Sequence, residues 1–286
     1  MTSTPSRLAA VRDELARKIG PVVVFNKSHS GSRLLASLIE HAGVFMGAHQ
    51  NESKDSLDLL ELVTHLVLAH YPDYGRLWEG GADRDPALPD LIRRVFAAHL
   101  AGFDVSGGGR WGWKLCETAY IVPVVDFLFP GARYIHLIRD GRDVAFSDHR
   151  GPDNAFWKKI YFNTDRMTRW HGHRLTRRAY RWRSYLFNAQ HWVNSVTVGR
   201  RFGAMLRERY LEVRYEDLCL DFESTAVRVL EFIGMSAALP AVATMRPQVY
   251  SGAIGKYRRQ SWLKRFRVGR IVTPLLLELG YLSGEG

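Results

Sequence analysis

The sequence predicts an α/β fold of three layers, a central parallel sheet flanked by helices. Three observations carry that reading. Two segments run from strand through polar turn to helix: Pro21–Phe25 into Arg33–Ala42, and Arg133–Ile138 into Val144–His149. Their strands are short, apolar and mostly β-branched, the pattern of strands buried on both faces. Further strand candidates then alternate with helical periodicity, as expected when helices cover both faces of a parallel sheet.

Taken in order, the chain opens with an amphipathic helix over Pro5–Lys18, its stripe formed by Leu8, Val11, Leu15 and Ile19. The first strand follows, then the turn Asn26–Ser32, then a helix that Gly43 ends. Apolar spacing predicts helices over Asp55–Tyr71, Pro89–Ala101 and Tyr120–Leu128, with a strand at Trp111–Leu115. After the second strand–turn–helix unit come a helix over Tyr180–Arg201, a strand at Tyr210–Tyr215 and a helix over Thr225–Phe232. Turn-rich stretches at Glu79–Pro89, Gly107–Gly109 and Gly151–Asn154 are too short for domain linkers, so one domain over residues 1–286 is the simplest organisation.

Composition narrows the function classes. The chain has 286 residues, 46% hydrophobic and 12% aromatic, too apolar for a disordered protein. No apolar run approaches the roughly 20 residues that span a bilayer. Two cysteines, Cys116 and Cys219, make neither a disulfide framework nor a zinc pattern. The first twenty residues lack the apolar core of a secretory signal, so a reduced, cytoplasmic enzyme is expected. Net charge is +11, and only eight of the 40 basic residues are Lys. Arginine offers a planar fork for phosphate, sulfate or carboxylate, so an anionic partner is implied.

The first turn, Asn26-Lys27-Ser28-His29-Ser30-Gly31-Ser32-Arg33, lies where a helix N-terminus presents free amides to an anion. Gly31 permits close backbone approach, the three serines offer hydroxyls, and Lys27 offers charge. The arrangement is P-loop-like, but Lys27 precedes Gly31, so the GxxxxGK[ST] pattern of ordinary nucleoside triphosphatases is absent. A plain helix cap by Ser30 or Ser32 would use the same residues. The second turn, Arg139-Asp140-Gly141-Arg142-Asp143, delivers Arg139 at a strand end, with Ser147 eight residues on. Both side chains can converge on one anion, with Arg142 and Asp143 pairing to brace the turn. A surface ion-pair turn is the alternative.

With both turns in view, the chain resembles the sulfotransferases that use 3′-phosphoadenosine 5′-phosphosulfate (PAPS), including bacterial members and Golgi-type enzymes acting on carbohydrate or protein tyrosine. Lys27–Ser32 resembles the family's loop for the 5′-phosphosulfate, and Arg139–Ser147 its turn for the 3′-phosphate, with Gly141 where proline is common. Trp111–Lys114 is similar to the strand whose Lys sits beside the sulfate. Leu211–Leu218, with Tyr215, is similar to the late strand and helix. Gly255-Lys256-Tyr257-Arg258 is similar to the basic loop over the nucleotide. Pro274–Leu282, with Gly280-Tyr281, also resembles the end of bacterial members, and together with the five ordered motifs the resemblance covers about Pro21 to Leu282. His29 is an additional residue within the first loop, which leaves Lys27 or Arg33 nearest the transferred group; Lys27 is preferred, with Arg33 in support.

The resemblance implies a PAPS-dependent sulfotransferase, PAP as product, no required metal, and an acceptor hydroxyl on a small molecule or glycan. Lys27 and Lys114 would stabilise charge, and Arg139, Ser147, Lys256 and Arg258 would hold the nucleotide. Glu52, in the segment after the first helix, is the preferred general base; Glu117, His49 and His149 are lesser candidates. Acceptor-side insertions are placed near 53–110 and 148–207. The second contains ten Arg and no acidic residue between Arg166 and Arg207, interleaved with Trp170, Trp182 and Trp192 and preceded by Trp157. That suits a carbohydrate or glycolipid that is itself anionic and leaves peripheral membrane contact open; a solvated basic face over core tryptophans is the plain alternative. A P-loop phosphotransferase is the second reading. A basic nucleic-acid binder is the third, and nucleic acid is not the expected partner.

Overall fold

The computed structural model describes residues 7–15, 20–78, 84–104, 107–147, 177–245 and 251–283. Its parallel sheet has four strands: β1 Val22–Asn26, β2 Gly112–Lys114, β3 Arg133–Ile138 and β4 Tyr210–Arg214. Their order is β2-β1-β3-β4, so β1 lies between the strands that carry the other two basic motifs. Val24 is level with Lys114 on one side, and Phe25 with His136 on the other.

Strand periodicity divides the core in two. Val22 and Val24 face one layer, with α2 (Ser32–His41) and, later in the chain, α8 (Tyr215–Leu220), α9 (Phe222–Ile233) and α10 (Leu239–Ala243). Val23 and Phe25 face the other, with α1 (Arg7–Leu15), α3 (Leu59–Ala69), α4 (Leu88–His99) and α5 (Val122–Leu128). This is the predicted α/β class, helices on both sides of a parallel sheet. A third cluster joins α6 (Gly141–Ala145), α7 (Arg177–Leu206) and α11 (Trp262–Glu278) through Val144, Trp192, Val196, Val268 and Val272. It seats α7 and α11 against the second basic turn.

Several boundaries differ from the sequence reading for identifiable reasons. The helix expected from Asp55 starts at Leu59, because the Asn51 side chain accepts hydrogen bonds from the Ser53 and Asp55 amides, both 2.9 Å, and holds a turn there. The helix expected from Val144 starts at Gly141, because Asp140 caps it by accepting from the Arg142 amide at 2.8 Å. The helix ends at Ala145, with Phe146 leaving helical geometry, so the expected run to His149 is corrected; residues 148 and 149 lie outside the described residues. The stretch Cys116–Tyr120 is a 3₁₀ turn, and Pro123 opens α5 after it. Helix α7 runs five residues past the expected Arg201. Its Gly199 and Gly203 are points of close approach: a Cβ would come within 2.6 Å of His136 and 2.4 Å of the Tyr210 ring. Helix α11, 17 residues long, was not assigned from the sequence, because its first half is a basic, largely exposed segment.

Candidate functional site

The site forms where β1, β2, β3 and β4 end. In a parallel α/β sheet the carboxyl ends of the strands face the crevice that takes ligands. Lys27 follows β1, Lys114 ends β2, Arg139 follows β3 and Tyr215 follows β4.

The first loop is closed but not satisfied. Lys27, Ser28, Ser30 and Ser32 are all buried. Ser28 Oγ and Ser30 Oγ have no hydrogen-bond partner among the described residues. Helix α2 begins after Gly31 with no side-chain cap, so neither Ser30 nor Ser32 serves the capping role that would account for them without a ligand. Gly31 is left-handed at φ 86°. A Cβ there would sit 2.2 Å from the Tyr215 ring, so the loop lies flat on Tyr215. His29 also has positive φ, 69°, and its carbonyl accepts from Arg139 Nη1 at 3.3 Å. The additional residue thus bulges out of the loop and links it to the second turn. These buried, unpaired hydroxyls at an uncapped helix N-terminus fit a phosphate or sulfate oxygen.

Lys27 is the lysine inside. Burial pushes it down to about 8, against the nearby Cys116 and Glu117, and its Nζ donates to the Ser28 carbonyl at 3.1 Å. Arg33 lies exposed on the first turn of α2. On the next strand, Lys114 Nζ meets Asp55 Oδ1 at 2.7 Å and the Ser53 carbonyl at 3.0 Å. Burial works against the Lys114 charge, but the surrounding groups, Asp55 in direct contact among them, outweigh it and raise its pKa. Glu52 is exposed, and the carboxylate that reaches the lysine is Asp55, three residues on. Both acids sit in one short loop, and sequence spacing alone does not choose between them.

The second turn is braced from several sides. Asp140 both caps α6 and pairs with Arg142 at 2.7 Å, so the predicted Arg142–Asp143 pairing is corrected to Arg142–Asp140. Asp143 instead lies 3.6 Å from Arg139 and accepts from the Gly255 amide at 2.7 Å and the Tyr257 amide at 3.0 Å. One carboxylate thereby fastens the late basic loop to the turn. Lys256 Nζ donates to Ser147 Oγ at 2.8 Å. Burial and the charge of Arg139 both lower Lys256. Arg139 stacks over Tyr215 with its guanidinium carbon 4.5 Å from the ring centre, and its Nε has no partner among the described residues. Arg142 covers Tyr257 at 4.4 Å, whereas Arg258 is exposed, 5.9 Å from that ring.

Three contributors were missed in the sequence. Trp192 Nε1 donates to the Arg139 carbonyl at 2.9 Å. Glu216 accepts from the Asp140 amide at 3.0 Å and from Tyr281 Oη at 2.8 Å. Asn188 donates to the Ser147 carbonyl at 3.1 Å. All are distant in sequence, and their only local signal was membership of segments already read as motif or helix. Of the other histidines, His49 is exposed and pairs with Asp58 at 3.0 Å. His149 lies outside the described residues, as do Trp157 and Trp170. His136, pushed down to about 3 by burial and by Arg200, is a neutral core group bonded to Tyr210 Oη at 2.7 Å. Glu117 is buried.

Fold and site together define a P-loop-like α/β protein whose strand-end loops present buried, unpaired donors of the kind that suit an anion. The family model described as "Sulfotransferase family" matches residues 30–238, and the chain belongs to that family. Among solved structures it is similar to the sulfotransferase domain from the curacin biosynthetic pathway, at 16% identity and TM-score 0.48, covering 90% of this chain and 98% of that one. It is also similar to the sulfotransferase STF1 from Mycobacterium tuberculosis, at 15% identity and TM-score 0.46, covering 92% and 81%. Mouse sulfotransferase SULT7A1 complexed with PAP matches at 13% identity and TM-score 0.41, covering 97% and 90%. No curated protein matches the chain. Among the described residues no helix is long and apolar enough to cross a membrane.

Proposed function

We propose that the chain transfers a sulfuryl group from PAPS to an acceptor hydroxyl. The observation that carries this reading is the set of buried, unpartnered donors, Ser28 Oγ, Ser30 Oγ and Arg139 Nε, at the ends of two adjacent strands. When bound, PAPS supplies the sulfuryl group and a bisphosphate leaving group. Ser28, Ser30, Ser32 and the free amides of α2 bind the 5′ end of the nucleotide, with Gly31 giving close approach. Arg139, Ser147 and Lys256 bind the 3′-phosphate, with Gly255, Tyr257 and Arg258 around it. Lys27 and Lys114 hold positive charge against the transferring group, where preorganised electrostatics contribute most.

A carboxylate takes the acceptor's proton. Glu52 is the choice from sequence, and Asp55 is favoured by its contact with Lys114. Asp55→Asn should lower kcat about 10²–10⁴-fold, with Glu52→Gln changing it little; the reverse result returns the role to Glu52. Residues 53–110 and 148–207 are assigned to acceptor recognition, and the Arg-rich part of the second to a hydroxylated, anionic acceptor such as a carbohydrate or glycolipid. A screen that accepts only neutral phenols overturns that assignment.

The whole reading is tested by thermal unfolding with adenosine 3′,5′-bisphosphate, 5′-AMP and ATP. A ligand at 100 times its dissociation constant adds about 2.7 kcal/mol, roughly 5–10 °C for a chain of this size. That shift is expected with the bisphosphate and not with 5′-AMP, followed by label transfer from PAPS. A shift with ATP alone would point to a phosphotransferase.

A further inference from the structure

Away from the strand ends, α3 and the approach to α4 bring three metal-ligating side chains to one point. His65 stands on α3, His70 ends it, and Asp85 precedes α4. Nε2 of His65 and Nε2 of His70 each lie 2.6 Å from the same oxygen, Asp85 Oδ2. The three ligand atoms are all within 4.8 Å of one another. The two rings are inclined at 54° with centres 6.0 Å apart, so they do not stack but converge through their Nε2 edges. All three side chains are partly sheltered, Asp85 most, at 11% exposed.

We propose that His65, His70 and Asp85 form a binding site for a divalent transition metal, zinc before others. Two imidazole nitrogens and one carboxylate oxygen are a borderline donor set that suits zinc. Magnesium and calcium prefer oxygen ligands throughout and would not select it. Two imidazoles crowding one carboxylate oxygen is a poor division of hydrogen bonds, since both rings converge on Oδ2 rather than sharing the two oxygens. It is a good starting arrangement for a cation between N and O donors. Zinc bonds of about 2.0–2.1 Å set tetrahedral ligand atoms about 3.3 Å apart, so each contact opens by about 0.7 Å on binding, and water takes the fourth position. Burial favours the neutral Asp85 carboxyl, but hydrogen bonds from His70 and His65 and their charge outweigh it and hold the pKa below its ordinary value. The metal displaces the Nε2 protons and fastens the end of α3 to the approach to α4.

The test uses the full chain without added histidines, stripped by chelator and dialysed. Zinc chloride is titrated in competition with a chromogenic indicator, and thermal unfolding is followed with and without zinc. Cobalt(II) replaces zinc as a visible-absorption probe of tetrahedral N/O coordination. One equivalent of zinc, a rise in the unfolding midpoint of roughly 5–10 °C at saturation, and cobalt absorption are expected. His70→Gln and Asp85→Asn should lose all three while binding adenosine 3′,5′-bisphosphate as before. His65→Gln, at the most exposed of the three, serves if either variant fails to fold. Absence of zinc binding to the parent chain overturns the proposal, as does equal binding by the variants. A midpoint lowered in Asp85→Asn with no effect of zinc on the parent marks a hydrogen-bonded clasp and also overturns it.

Discussion

The loop after β1 and the turn after β3 lie side by side at the strand ends and are built in opposite ways. The first keeps buried hydroxyls unpaired and its helix uncapped. In the second, Asp140, Asp143, Glu216 and Trp192 each hold a hydrogen bond that fixes the backbone. A buried unsatisfied polar group costs about 1–3 kcal/mol. The first loop therefore carries unfavourable free energy that a bound anion would relieve, whereas the second has its backbone already fixed and leaves one buried donor, Arg139 Nε, without a partner among the described residues. Substitutions in the two should move stability in different directions.

The sharpest contrast comes from Asp143→Ala. Removing this carboxylate frees two amides and leaves Arg139 without its buried counter-charge, so unfolding free energy should fall by about 3–5 kcal/mol. Bisphosphate affinity should fall with it. Chemical denaturation and calorimetric titration check both, and an unchanged stability would break the distinction. Lys27→Met should do the reverse, lowering turnover about 10²–10³-fold while leaving the ligand-free chain as stable or more so.

Lys27 also makes the contrast visible in pH. Its pKa in the fold, about 8, lies below the unfolded value of 10.5. Between these values the unfolded chain holds a proton that the folded chain has released, so this group's contribution raises stability as pH rises through that window. An anion in the cradle favours the charged lysine and restores the proton. Bisphosphate binding at about pH 8.5–9 should therefore take up a proton, and at about pH 6.5 should not, as read from titrations in buffers of different ionisation enthalpy. Lys27→Met should remove the uptake. The smallest effect is Ser30→Ala. Losing an unpaired hydroxyl should leave the midpoint of the ligand-free chain unchanged or slightly raised, while the bisphosphate dissociation constant rises about 5–10-fold. A clear loss of stability would mean that Ser30 was already paired.

What the sequence revealed follows the same division. The strands β1 and β3, both basic turns and the late loop at Gly255–Arg258 were legible because each is a contiguous run whose chemistry is local. The Arg-rich helix was legible as a helix, but the sequence left Trp192 open between a basic, aromatic surface and the core, and it is a buried core group under the second turn. Asp143 was visible, and its partners were not: the amides of Gly255 and Tyr257 are far along the chain, and backbone donors leave no mark on composition. Asp55 was hidden by proximity to Glu52, since a loop has no periodicity to tell one carboxylate from another three residues away. The start of α11 was missed because half-exposed helices carry a weak apolar stripe.

Gly141 stands where the resemblance makes proline common, and its reason lies on α7. A Cβ at position 141 would come within 2.5 Å of the Trp192 indole, so the bare backbone and the large ring are complementary shapes. Neither residue can be exchanged alone: a side chain at 141 collides with the ring, and a smaller residue at 192 leaves a void and an unbonded Arg139 carbonyl. In evolutionary terms the two positions are one character. A lineage that acquires proline in the turn must first give up the indole, and its long basic helix must then find another way to rest on the turn after β3.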